Sequence, residues 1–157
     1  MPTHALSVRA PWWWAILHAG KDVENRSRRN GFRGRVWLHA SAWHRPTAIA
    51  IDMGSMADVY DHTPWQTRDP RHNRVRDFNI DKHEALRDLK TAGGHIVGSV
   101  EVVDCVTASA SPWFCGPVGF VLRDPVVLSR PIPCKGALGF FRVPASVLAD
   151  FEATEAI

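Results

Sequence analysis

Lys21, Asp22, Glu24 and Arg26 stand directly behind three tryptophans, Trp12, Trp13 and Trp14. A core has no use for charges crowded behind aromatic rings; a site does. Lys21 acts as a base near neutral pH only where desolvation or a neighbouring cation lowers its pKa. Glu24, three residues on, works the other way and holds the ammonium protonated. Lys21 is therefore read as an anion anchor or an ion-pair partner before a base. Glu101 interrupts a run of valines. A partly buried carboxylate is too costly to leave alone, so Glu101 is expected to pair with Lys21 or Arg26 across a cleft. Arg9 and Arg26 carry planar forks suited to phosphate or a base edge. Trp12 and Trp113 either stack on a base, worth about 1–3 kcal/mol each, or plug the mouth of a barrel. Ser7 and Ser41 offer hydroxyls to a ligand, with no neighbouring His–Asp pattern to make a triad of either. Lys135 adds a cation in a late loop. His39 and His44 are five apart, which is not the spacing of a helix-face metal pair. No zinc, other metal or cofactor is expected.

The elements that must position these residues follow from periodicity. Ala5 to Arg9 alternates as a strand, with Leu6 and Val8 on one side. Pro11 suits the first turn of a helix over Trp12 to Ala19, and Gly20 stops it. Lys21 to Arg26 is extended. Asn30-Gly31 is a strong hairpin signal. Arg33 to Ser41 is the cleanest strand, with Val36, Leu38 and Ala40 opposite Arg35, Trp37 and His39. Pro46 opens a second helix to Met56. Tyr60 to Phe78 lacks apolar periodicity and is rich in arginine, so a loop insertion is placed around 60–78. Asp81 and Glu84 resemble a capping box for a short helix to Leu89 or Lys90. His95 to Val106 is a long strand, with Ile96, Gly98, Val100 and Val102 on one face. Val118 to Leu122 is a strand, Arg123-Asp124-Pro125 a turn, Val126 to Leu128 a continuation, and Pro131 to Gly136 a loop. Leu138 to Val143 is the last strand, and a helix runs from Ala145 to Phe151. Five to six strands, mostly antiparallel, with two to three helices flanking them give a small α+β barrel.

With 157 residues, a single domain over 1–157 is the default. The net charge of +3 permits a nucleic-acid partner without requiring one. Cys105, Cys115 and Cys134 are an odd number without CxxC spacing and are read as free thiols in a reducing compartment. No apolar run is long enough to span a membrane and no signal peptide opens the chain. A cytoplasmic monomer without membrane attachment is expected.

In order and spacing these motifs resemble the ASCH domain, a branch of the PUA-like superfamily. The residues concerned are Leu6-Ser7-Val8-Arg9 with Pro11-Trp12, and Gly20-Lys21-Asp22-Val23-Glu24-Asn25-Arg26. Arg33-Gly34-Arg35 and His39-Ala40-Ser41 follow. Later come Ile96-Val97-Gly98 with Glu101, Asp104-Cys105, Trp113-Phe114, Gly119-Phe120, Lys135-Gly136 and Leu138-Gly139. The resemblance implies a PUA-like β-barrel with a cleft, between the first helix and the barrel, for single-stranded RNA, DNA or a modified nucleoside. There Lys21, Arg9 and Arg26 would neutralise phosphate, Trp12 and Trp113 would stack, and Glu24 and Glu101 would accept from exocyclic amines. Some members are similar to amidohydrolases of N4-acylcytidine nucleosides, which use a Lys, a Thr and a Glu. The Lys maps to Lys21 and the Glu to Glu101, while the Thr position is Glu24 here. A hydrolase on this pattern would use water as nucleophile, Glu24 or Glu101 as base and Lys21 at the oxyanion. Other members look like metal-dependent ribonucleases.

Overall fold

Alternating apolar residues in the longest extended runs build one sheet with a core on each face. The computed structural model describes residues 1–42, 68–69, 74–75, 87–89 and 91–155. Its strands are β1 (His4–Val8), β2 (Val23–Arg26), β3 (Gly34–Ala40), β4 (Arg68–Asp69), β5 (Arg74–Val75), β6 (His95–Val106), β7 (Val118–Pro133) and β8 (Phe140–Arg142). Its helices are α1 (Trp12–His18) and α2 (Ala145–Glu155); 87–89 is also helical. Six strands form one sheet in the order β2-β7-β6-β3-β1-β8. Every neighbouring pair in it is antiparallel except β1 with β3. β4 and β5 pair apart from it.

Leu6, Val8, Val36, Leu38, Val100 and Val102 share one core with Trp13, Trp14, Ile16 and Leu17 of α1. Ala5, Trp37, Ile96, Ile132, Val143 and Phe151 form the second core, on the other side. There α2 docks by stacking Phe151 on Trp37, with ring centroids 4.2 Å apart and planes at 8°. The sheet also curls. Phe140 of β8, one edge strand, lies 5.2 Å from Phe120 of β7, near the other edge. Arg26 of β2, the opposite edge strand, donates to the Ser7 carbonyl of β1 at 2.6 Å. The result is an α+β half-barrel of six mostly antiparallel strands.

The structure departs from the sequence reading in its connections. Asn30-Gly31 does not close a hairpin, because β2 pairs with β7 and β3 with β1 and β6. Arg123-Asp124-Pro125 does not turn. β7 runs through it, with Asp124 at φ 49°, because the long β6 continues to pair on both sides, at Glu101↔Arg123 and Ser99↔Val126. The strand reaches Pro133 and so takes the first half of the loop expected from Pro131 to Gly136. Ile96 does not share a face with Val100. Between Leu38↔Gly98 and His39↔Ile96 the register slips, leaving Val97 as the extra residue of a bulge that reverses the alternation. The helix expected from Pro46 to Met56 and the start of the one at Asp81 lie outside the described residues. So does most of Tyr60 to Phe78, apart from the β4–β5 pair. No helix among the described residues is long and apolar enough to cross a membrane.

Candidate functional site

The expected site residues other than Glu101 gather in two neighbouring groups. The first is a closed charge cluster. Gly20 ends α1 at φ +71°, in the left-handed region that glycine enters without steric cost. The turn brings the Lys21 amide to the Ala15 carbonyl at 3.1 Å, and the side chain is buried, 4% exposed. Its ammonium donates to the Val23 carbonyl and lies 3.7 Å from Glu24 Oε2. Glu24 Oε1 is 3.3 Å from Arg26 Nη2. Two rings cover the ammonium, Trp12 at 5.7 Å and Trp113 at 5.8 Å. Burial lowers the Lys21 pKa and the Glu24 carboxylate opposes it. Burial raises the Glu24 pKa, with Lys21 and then Arg26 opposing. Two cations thus share one carboxylate in a dry place. Each charge answers another inside the cluster, and Lys21 has no open path to a phosphate. Trp113 is 4% exposed and roofs the lysine instead of offering a stacking face; its carbonyl accepts from Asn25 Nδ2 at 2.9 Å. Trp12 is half-buried.

The second group lines an open cleft of about 1060 Å³. Its walls are the ends of β1 and β3, the connection from β7 to β8, and the start of α2. Ser7, Arg9, Ser41 and Lys135 all face it, and Arg9 and Lys135 are exposed. Among the described lining residues there is no carboxylate. This cleft is a different one from the cleft expected between α1 and the barrel. Where α1 meets the sheet, Trp13, Trp14, Ile16 and Leu17 pack as core.

A residue that sequence reading set aside lies at the back of this cleft. His39 is opposite Ser7 in the β1–β3 register and buried, 2% exposed. Its Nδ1 is 3.1 Å from Ser7 Oγ, and its Nε2 is 2.9 Å from the Cys134 carbonyl. A carbonyl only accepts, so the assignment follows that Nε2 carries the hydrogen and Nδ1 accepts from the Ser7 hydroxyl. Ser7 Oγ is in turn 3.0 Å from Ser41 Oγ. Burial lowers the His39 pKa, the Cys134 hydrogen bond opposes this, and nearby His95 adds to the lowering. Gly136 fits flush on the imidazole, where any Cβ would strike the ring. In sequence, Ser7 and His39 each sit in phase on a strand, but nothing local says that those strands are neighbours.

Glu101 belongs to neither group. It opposes Arg35 in register and pairs with it at 3.4 Å, both side chains about one-third exposed. The expected partners were Lys21 or Arg26. Strand alternation decides otherwise: Glu101 shares its face with Ser99, whereas Glu24 lies opposite Phe120, whose ring is in the α1 core. Among the described residues no group of three or more His, Cys, Asp or Glu is placed to hold a metal ion.

A family model for the ASCH domain matches residues 6–114. That span begins within β1, includes α1 and the charge cluster, and stops short of Lys135. No curated protein matches the chain. Among solved structures, a serine-to-alanine mutant of ZmASCH from Zymomonas mobilis aligns over 98% of this chain and 99% of its own, at 13% identity and a TM-score of 0.46.

Proposed function

Because the chain belongs to the ASCH domain family, we propose that it is a binding module for single-stranded RNA, held in the cleft lined by Ser7, Arg9, Ser41 and Lys135. One observation supports this reading most: the cleft wall carries two exposed cations and two hydroxyls, and no carboxylate among its described residues. Arg9 and Lys135 take phosphate oxygens, the first as a fork and the second as a point charge. Ser7 and Ser41 supply hydrogen bonds to sugar or base. The Lys21–Glu24–Arg26 cluster acts at one remove, through the Arg26 bond to the Ser7 carbonyl, which steadies the strand that presents Ser7.

The test is a salt titration of binding to a short single-stranded RNA, with single-stranded DNA of the same sequence beside it. Affinity should fall as salt rises, with a slope in log–log form of about 0.7 per phosphate neutralised. Arg9→Ala and Lys135→Ala should each weaken binding and each reduce the slope by about 0.7. An affinity indifferent to salt, or slopes unchanged in both variants, would sink the reading. Conversion of N4-acetylcytidine to cytidine by the purified protein, lost in Lys21→Ala, would replace it with the amidohydrolase reading. The observation that favours that second reading is the burial which pushes Lys21 and Glu24 toward their neutral forms.

A further inference from the structure

The hydrogen-bonded row from Ser41 through Ser7 and His39 to the Cys134 carbonyl does more than a phosphate cleft needs. Phosphate recognition is served by the two cations and by hydroxyls free to turn. Here the Ser7 hydroxyl is committed: its proton points at His39 Nδ1, 3.1 Å away, and the imidazole is fixed by the bond from Nε2 to Cys134. A nucleophile within hydrogen-bond reach of a base, with the base itself oriented by a third group, is the arrangement that activates serine. The third group here is a main-chain carbonyl in place of a carboxylate. Ser41 completes the row, because with the Ser7 proton given to His39, Ser7 Oγ accepts from the Ser41 hydroxyl at 3.0 Å. Ser7 is half-buried on the cleft wall, while His39 is enclosed behind it by Gly136 and the edge of Phe141, whose ring centroid is 5.5 Å away.

From this geometry we infer that Ser7 and His39 form a nucleophile–base dyad that takes an acyl group from an ester, amide or mixed anhydride on an anionic carrier. Ser7 Oγ bonds to the carbonyl carbon and its proton passes to His39 Nδ1. The bond from that carbon to the leaving group breaks, and the leaving group departs with the proton from Nδ1. Water then attacks the acyl-serine, giving a proton to Nδ1 that returns to Ser7 Oγ. The acid is released and the chain is restored. Arg9 and Lys135, on the same cleft, hold the anionic part of the carrier. The Ser41 hydroxyl steadies negative charge growing on Ser7 Oγ as its proton leaves. Burial keeps His39 neutral and able to accept, in support of the geometry.

The probe is acetyl phosphate, with p-nitrophenyl acetate as a neutral comparison, and the readout is peptide mass mapping together with the rate of hydrolysis. One acetyl group should appear on the peptide that carries Ser7, and none there in Ser7→Ala. His39→Gln keeps a donor for Cys134 but is a poor base, and should acetylate about 100-fold more slowly or worse. Acetyl groups confined to lysines and the N-terminus, or equal Ser7 acetylation in His39→Gln, would overturn the dyad. Should His39→Gln prove unfolded by circular dichroism, hydrolysis decides the matter. Wild-type turnover above that of Ser7→Ala upholds the dyad, and equal turnover removes it. Salt-sensitive RNA binding without Ser7 acetylation removes the dyad alone; Ser7 acetylation with salt-indifferent RNA binding removes the binding reading alone.

Discussion

The surroundings of His39 leave it little freedom. It is buried, tied at both nitrogens and covered by a glycine that admits no side chain. Its folded-state pKa lies below the ordinary 6.5 because burial disfavours the imidazolium. As pH falls past 6.5 the unfolded chain therefore takes up a proton at this position before the folded chain does. The stability associated with a neutral His39 is intact above that pH and is lost as pH falls through the folded-state pKa. Thermal melts from neutral into mildly acid pH should show the wild type losing stability more steeply than His39→Gln, once both are scaled to their neutral values. Parallel curves for the two proteins would show that His39 carries no such penalty. The same reasoning explains why Lys21 was legible as special but not in its role. Four charges after three tryptophans are visible in the sequence; that the cluster closes on itself depends on Gly20 turning the chain back under α1.

At the scale of elements, period-two and period-3.6 patterns carried β1, α1, β3, β6 and α2 to within a few residues, because each buries residues at regular spacing in a core. Partners were not legible. Nothing in Val23–Arg26 says that it pairs with a strand nearly a hundred residues later, and the Asn30-Gly31 turn signal pointed to a hairpin that long-range pairing overrides. The bulge at Val97 was equally hidden, yet it sets Ile96 opposite His39 and so shapes the back of the cleft. Gly98, next to this bulge, makes the contact between α1 and the sheet possible. A Cβ there would stand 2.5 Å from the Val126 carbonyl oxygen and 2.8 Å from Leu17 Cδ2, closer than real side chains approach. The carbonyl belongs to β7 and cannot swing aside without breaking the ladder. Gly98→Ala should thus destabilise the protein by about 1–3 kcal/mol, with a change in tryptophan fluorescence as α1 lifts away from β6. Unchanged melting and fluorescence would mean that α1 is not seated as the contacts indicate.

The whole molecule is an open sheet that closes on itself by side chains, and this is what brings the two groups of site residues together. β2 and β1 are separated in the sheet by β7, β6 and β3, so no ladder joins them. Arg26 crosses the gap, holding Glu24 on its own strand and the Ser7 carbonyl on β1. Both contacts run from one terminal nitrogen of the guanidinium, Nη2. Arg26→Met retains much of the apolar stem and removes both bonds, leaving Lys21 to answer Glu24. Because Lys21 still answers Glu24 and Arg26 is a quarter exposed, the cost should stay below the roughly 3–5 kcal/mol of a buried charge left alone, and the loss should be local to the closure. Amide exchange should quicken in β2, whose hydrogen bonds to β7 then lie on a freed edge, and at the end of β1 around Ser7. The α2 side, built on Trp37 and Phe151, should keep its protection. Slowed Ser7 acetylation in the same variant would follow from the loosened strand, since the distance from Ser7 to His39 depends on where β1 sits. A variant that melts lower while exchanging evenly throughout would show that Arg26 stabilises the fold without acting as its clasp.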